Sequence, residues 1–382
     1  MNRFLKIGIN IIRGITVPLL NFIIILSGIK HFGKNDWGEY VSTIVWISFF
    51  TFVANWGNKD YLIRKYSQNP SEIYSNFYMN LFSRGLLILP SFVLFAFFPS
   101  KIALLSIFII LISYAYNSFE SLVIYQQKFG PQLVVEIIGF SFFYGALYKL
   151  SIFDLASVLE FYALSIILKL ILISFLFNLR NKPFRLKIAL NELILSFPFF
   201  ILGLSGMISS KIDLYLVTVF LPNEIISSYQ TITTAFLMLQ ALSVFITAPI
   251  NKSFYRSNTK VISKLKILFK KIAIPISILG SLSIWLLLEH YIKLGFEWHI
   301  YLLCFLSSLP VFFYVIPILN LYKEKLEKKI VYSNLLIAIL NCALGLILLK
   351  RIGLEGIFIS VCVSQWLFLI LIKKLENSIS QS

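Results

Sequence analysis

The chain has 382 residues, 58% of them apolar and only 13% charged, with a mean hydropathy of +0.85. These values exclude a soluble globular chain of this length. A formal net charge of +17 would suit nucleic acid, but its placement along the chain points to a membrane instead.

Apolar runs of roughly 18 to 25 residues recur throughout, and a run of about 20 crosses a hydrocarbon core of ~30 Å as a helix. Twelve are expected, at 8–30, 38–57, 76–98, 102–125, 132–149, 155–178, 192–221, 227–250, 270–289, 298–321, 329–350 and 354–373. A β-barrel does not fit, because barrel strands are short and alternate polar with apolar residues, whereas these runs are apolar all round. The first run has no small-residue cleavage site, so it is read as a spanning helix rather than a removed leader. Pro18, Pro90, Pro198, Pro310 and Pro317 fall inside runs, and each is expected to bend its helix.

Lysine and arginine sort by side of the membrane. With the amino terminus inside, the inward pieces hold the dense clusters, among them Lys59, Arg64 and Lys65, then Arg180, Lys182, Arg185 and Lys187, then Lys264, Lys266, Lys270 and Lys271. The outward connections hold only scattered cations such as Lys101, Lys149 and Lys293. The positive-inside rule therefore places both termini in the cytoplasm. The longest connection, 251–270, puts Val261, Ile262, Leu265 and Leu268 on one helical face, which suits either a helix lying at the anionic inner surface or a solvated basic loop.

An internal echo relates the two halves. Phe32, Asn35 and Tyr40 recur as Phe220, Asn223 and Tyr229, Asn58-Lys59 as Asn251-Lys252, and Gly145 as Gly345, with an offset that drifts smoothly along the chain. Two copies of six helices that start on the same side make parallel repeats, with a cavity between the bundles as the expected site. The halves are read as 1–178 and 192–382, joined by a basic cytoplasmic linker at 179–191.

Charges at membrane depth are costly and are usually held near a partner, a cavity or water, so they are the candidate sites. Arg84, Lys169 and Lys211 lie within runs, and Arg13 lies on a stripe with Asn10 and Asn21. Asn76, Asn80 and Arg84 repeat every fourth residue, and Ser113, Asn117, Glu120 and Ser121 make a polar face on the fourth run. Helical rise puts Arg13, Arg84 and Glu120 roughly 8 to 12 Å from the cytoplasmic ends, with Lys169 and its face-mates Ser165 and Tyr162 about 14 Å in. Arg13, Arg84, Lys169 and Lys211 are the expected substrate-binding cations, forming a ladder for an anionic headgroup, while Glu120, Asp213 and Asn117 are candidates for coupling or gating. Two other readings stay open: Arg13 snorkels to the inner surface, and Glu120 clamps Arg84 or Arg13 structurally. Glu136 and Glu160 read as interfacial.

Enzymatic chemistry is not expected: there is no Asp-x-Asp pair and no glycine-rich phosphate loop. Cys304, Cys342 and Cys362 lie in three different runs without metal spacing and read as packing residues. His31, His290 and His299 lie in or beside outward connections with no ligand constellation around them.

The turns GKNDWGEY and LPNEIISSY after the first and seventh runs, KIDLYLV, the YQQK and YKEK endings of runs four and ten, and RIGLEGIFIS together resemble the multidrug, oligosaccharidyl-lipid and polysaccharide exporter superfamily. Within it the chain is most similar to the polysaccharide branch, the Wzx-type O-antigen flippases. Lys34 stands where proline is common in the outward turn. The resemblance implies an all-α polytopic fold of two six-helix lobes around a central cavity, in a bacterial inner membrane. It implies movement of undecaprenyl-pyrophosphate-linked oligosaccharide from the cytoplasmic to the periplasmic leaflet by alternating access. It further implies a cationic cavity for the pyrophosphate, no cofactor beyond coupling to an H+ or Na+ gradient in some members, and other polysaccharide-assembly membrane proteins as partners. A drug or cation exporter of the same fold is the alternative, and a membrane oligosaccharide polymerase or ligase is the reading left with least support.

Overall fold

The computed structural model describes residues 3–179, 188–247, 259–324 and 326–381. Most of the 179–191 stretch and residues 251–258 lie outside the described residues. The chain divides into two compact units, Met1–Gly203 and Leu204–Ser382.

Unit 1 begins with α1 (Arg3–Phe32) and α2 (Lys34–Asn55), joined at Gly33, whose φ of 88° is the left-handed backbone that glycine adopts without strain. The hairpin closes tightly because Trp37 packs on Gly28, where a Cβ would lie 2.3 Å from the indole ring. A short helix, α3 (Asn58–Gln68), then leads into α4 (Ile73–Gly85), which continues through Leu86–Ala96 in a tighter 3₁₀ winding around Pro90. The fourth run is α5 (Ser100–Ser118) followed by α6 (Glu120–Gln126), separated at Phe119. Unit 1 is completed by α7 (Phe129–Lys149), α8 (Leu155–Leu176) and the start of α9 (Leu190–Phe220). α8 is capped by Asp154, which accepts from the Ser157 amide at 3.0 Å and the Ser157 hydroxyl at 2.6 Å.

The division between units falls inside α9, beyond the 179–191 stretch expected to separate them, because the first turns of α9 pack on α2 and α3. Trp56 stacks on Phe200 at 4.0 Å between ring centroids and donates to the Leu193 carbonyl. Lys65 and Tyr61 of α3 both bond the buried carboxylate of Glu192.

Unit 2 carries the rest of α9, then α10 (Asn223–Thr247), α11 (Thr259–Trp285), a wider π-type turn at Leu286–Ile292, α12 (Trp298–Lys323), α13 (Glu327–Ile352) and α14 (Leu354–Gln381). Each of the twelve expected runs is helical over most of its described residues. Eleven of the helical spans are long and apolar enough to cross a membrane among the described residues. This is an all-α polytopic membrane protein.

Two local expectations change. The surface helix considered for 251–270 is, over its described part, the beginning of α11: Ile262 and Phe269 bury themselves against Ile316 of α12 rather than facing a lipid surface. α3 was read only as a basic connection. Its polarity hid a helix whose Tyr61, Leu62 and Tyr66 are buried.

Candidate functional site

In unit 1 the polar stripes of α1, α5, α7 and α8 meet around a cavity of about 390 Å³ that Asn21, Tyr116, Asn117, Glu136, Tyr162 and Lys169 help to line. The face of α8 predicted from spacing is the one found: Tyr162, Ser165 and Lys169 all reach the cavity. Lys169 Nζ lies 2.9 Å from Glu136 Oε2, and the Tyr116 hydroxyl donates to the other oxygen of the same carboxylate at 2.6 Å. The ammonium also sits 5.6 Å from the centroid of the Tyr116 ring, a favourable cation–π distance. Gly139, one turn along α7 from Glu136, leaves the room that the lysine stem occupies, since a Cβ there would lie 2.4 Å from Lys169 Cε.

A second space of about 310 Å³ adjoins the first and reaches α3, with Asn58, Lys59, Asp60, Glu120 and Gln132 on its walls. The two meet at Asn55, Tyr116, Asn117 and Glu136. Arg13 lines neither space but stands behind this wall: its Nη2 bonds Glu120 Oε1 at 2.6 Å, Gln132 donates to Glu120 Oε2 at 2.9 Å, and Arg13 also donates to Gln132. Asn55 Oδ1, at the junction, is buried and meets no donor among the described residues, which leaves it for a water or ligand hydroxyl. Arg13 and Lys169 therefore each carry a carboxylate of their own, and both pairs are largely withdrawn from solvent.

Arg84 stands apart. It is fully buried and lines neither space. Its guanidinium bonds Asn80 one turn back at 2.7 Å, the Asn55 and Ala54 carbonyls at the end of α2 at 2.9 and 3.3 Å, and Ser118 of α5 at 3.0 Å, tying three helices together. Glu120 pairs with Arg13 and not with Arg84, which decides between the two clamps considered from sequence.

Unit 2 has a cavity of about 260 Å³ lined mainly by amides and hydroxyls, including Gln240, Asn334, Asn341 and Gln365. Asp213 is the one carboxylate on the wall among the described residues, and it accepts from the Tyr229 hydroxyl. Lys211 is exposed and lies off this cavity. Cys304 is buried at the cavity wall, Cys342 and Cys362 are partly buried, and all three are free thiols. Among the described residues no cluster of histidine, cysteine or carboxylate residues is arranged to hold a metal.

No family model matches the chain, and no curated protein matches it. Solved structures do. A lipid II flippase MurJ in an inward closed conformation superposes with a TM-score of 0.76 at 15% identity, over 94% of this chain and 86% of that one. An inward-facing multidrug resistance MATE family transporter of the MOP superfamily gives 0.67 at 10% identity, covering 97% and 99%. The eukaryotic MATE transporter AtDTX14 gives 0.60 at 14% identity, covering 96% and 94%. The chain has the MATE-like fold.

On this MATE-like scaffold the structure brings Arg13, Glu120, Asn117 and Lys169 into one polar region of unit 1, encloses Arg84 elsewhere in that unit, and puts Asp213 and Lys211 in unit 2. Glu136 is a correction. Read from sequence as interfacial, it is the carboxylate at the centre of the unit 1 site, bonded by both Lys169 and Tyr116. The signal was present: Gln132, Glu136, Gly139 and Phe143 recur at helical spacing and share one face of α7. Glu160, the other carboxylate read as interfacial, pairs with Lys101 at 3.2 Å and is about half exposed.

Proposed function

We propose that the protein is a flippase that carries a lipid-linked oligosaccharide, of the undecaprenyl-pyrophosphate kind, from the cytoplasmic to the periplasmic leaflet by alternating access. The observation that supports this reading most is Lys169 in a membrane-depth cavity walled by asparagines, serines and tyrosines. Amide groups and aromatic faces are what hydroxyl-rich sugars bind, and a buried ammonium is what a phosphate oxygen seeks. A cavity of about 390 Å³ falls within the range of small-ligand sites, enough for a few sugar units with the adjoining space.

In this reading Lys169 and Arg13 meet the pyrophosphate, and Asn55, Asn117 and Tyr162 meet the sugars. Arg84 holds α2, α4 and α5 in register and supports the site from behind. Lys211 is a later contact, and Asp213 with Tyr229 is a coupling or gating group. Deleting the gene should leave lipid-linked oligosaccharide accumulated on the cytoplasmic side, and restoring it should return surface polysaccharide. Normal surface polysaccharide in the deletion strain would remove the reading.

One observation favours the drug or cation exporter instead: Asp213 faces the unit 2 cavity without a cation on that wall. A cationic substrate would select that carboxylate. Resistance to cationic dyes that is lost on Asp213→Asn and untouched by Lys169→Gln would favour this second reading.

A further inference from the structure

Lys169 and Arg13 each already bond a carboxylate of their own unit, so an anion that takes over either contact displaces a glutamate. Displacement alone would leave Glu136 negative and enclosed beside an incoming phosphate. Like charges in a low-dielectric space repel strongly. We propose, resting on the flippase reading above, that unit 1 binds the diphosphate together with a proton, and that Glu136 is the proton's site.

The step balances without a further reactant. A proton from the aqueous side goes to a carboxylate oxygen of Glu136. Lys169 stays an ammonium, gives up its 2.9 Å contact with Oε2 and bonds a phosphate oxygen. Neutral Glu136 retains a partner in Tyr116, whose hydroxyl already lies 2.6 Å from Oε1, so it is not orphaned by the exchange. Solvent can reach it, because Glu136 lies where the main cavity meets the space extending to Lys59 and Asp60.

The groups facing Glu136 make it the site that exchanges. Tyr116 comes from α5, and Lys169 and Tyr162 come from α8. Arg13 of α1 and Glu120 of α6 stand one helical turn away, joined to each other and to Gln132. Lys59 and Asp60 of α3 lie across the adjoining space. Glu120 accepts from both Arg13 and Gln132, so its charge is retained by two donors. Glu136 loses its one ion-pair partner among the described residues when Lys169 turns, and its charge is therefore the one to be cancelled.

The test uses the full chain in lipid nanodiscs and, as probe, a farnesyl diphosphate diester of N-acetylglucosamine, whose own phosphates take up no proton near neutrality. Calorimetry in two buffers of different ionisation enthalpy counts the protons bound. The wild type is expected to take up about one proton per diester at about pH 8, with affinity rising by up to about tenfold per unit fall in pH. Glu136→Gln should bind with no uptake and a flat pH dependence, while Glu160→Gln, at the distant exposed pair, should behave as the wild type does. Binding by the wild type without proton uptake, or uptake that persists in Glu136→Gln, would overturn the proposal and leave the flippase reading standing. No binding of the diester at any pH would overturn the flippase reading itself.

Discussion

The stem of Lys169 passes over Gly139 so closely that a methyl group there would lie 2.4 Å from Cε and 2.5 Å from Cγ. The lysine reaches Glu136 only because this position has no side chain. Gly139→Ala is therefore expected to force Lys169 into another rotamer and break the ion pair while leaving the α7–α8 packing in place. Transport per unit of protein should fall by about tenfold or more through the lost positioning, alongside the drop in abundance that an unpaired Glu136 brings. Flux measured beside an immunoblot checks it.

Lys169→Gln removes the partner of a largely enclosed carboxylate, a loss of up to about 3 to 5 kcal/mol that shrinks to the extent that Glu136 takes up a proton instead. Abundance should drop. Adding Glu136→Gln should restore abundance, because two amides can bond each other, yet leave transport absent. Recovery of transport in the double variant would make Lys169 a structural residue only.

Arg84 supplies donors to Asn80, Ser118 and two carbonyls at the end of α2, all in a fully buried setting. Each acceptor left unmet costs about 1 to 3 kcal/mol. Arg84→Gln should lower abundance and thermal stability severely, and Arg84→Lys should rescue little, because a point charge cannot reproduce the planar fork. A normal melting temperature with absent transport would move Arg84 from scaffold to substrate path.

These three predictions separate what the sequence showed from what it hid. Long apolar runs declared the membrane-spanning helices because the hydrocarbon core imposes length and composition directly. The α8 face of Tyr162, Ser165 and Lys169 was readable from spacing. Arg84's role was not, since its carbonyl partners in α2 and its Ser118 partner in α5 carry no side-chain pattern and lie about thirty residues away in either direction. Glu136 reads as interfacial from the sequence because depth along one helix says little about where that helix's neighbours leave space. α3 escaped because its polar surface outweighs the buried tyrosines that hold it to α4 and α6.

Asp154 caps α8 outside the membrane, and its bonds from the Ser157 hydroxyl and amide hold the carboxyl below its ordinary value. A depressed folded-state value means that the cap's contribution is complete above the usual aspartate range and is lost as pH falls through the lowered value. Asp154→Ala should cost about 0.5 to 2 kcal/mol at neutral pH. The difference in melting temperature between variant and wild type should shrink on acidification.

Ile152, in the connection before α8, is 80% exposed and should face the periplasm, whereas Arg64 of α3 should face the cytoplasm. A cysteine placed at 152 should react with a membrane-impermeant maleimide in intact spheroplasts, and one at 64 only after permeabilisation. The reverse pattern would invert the assigned topology.

The account stands most directly on whether the unit 1 cavity carries the pyrophosphate. In proteoliposomes with a fluorescent isoprenyl-diphosphate oligosaccharide, wild-type protein should speed its movement between leaflets, and the abundance-restored Lys169→Gln, Glu136→Gln variant should move it no faster than protein-free vesicles. Equal rates for wild type and double variant would contradict the account.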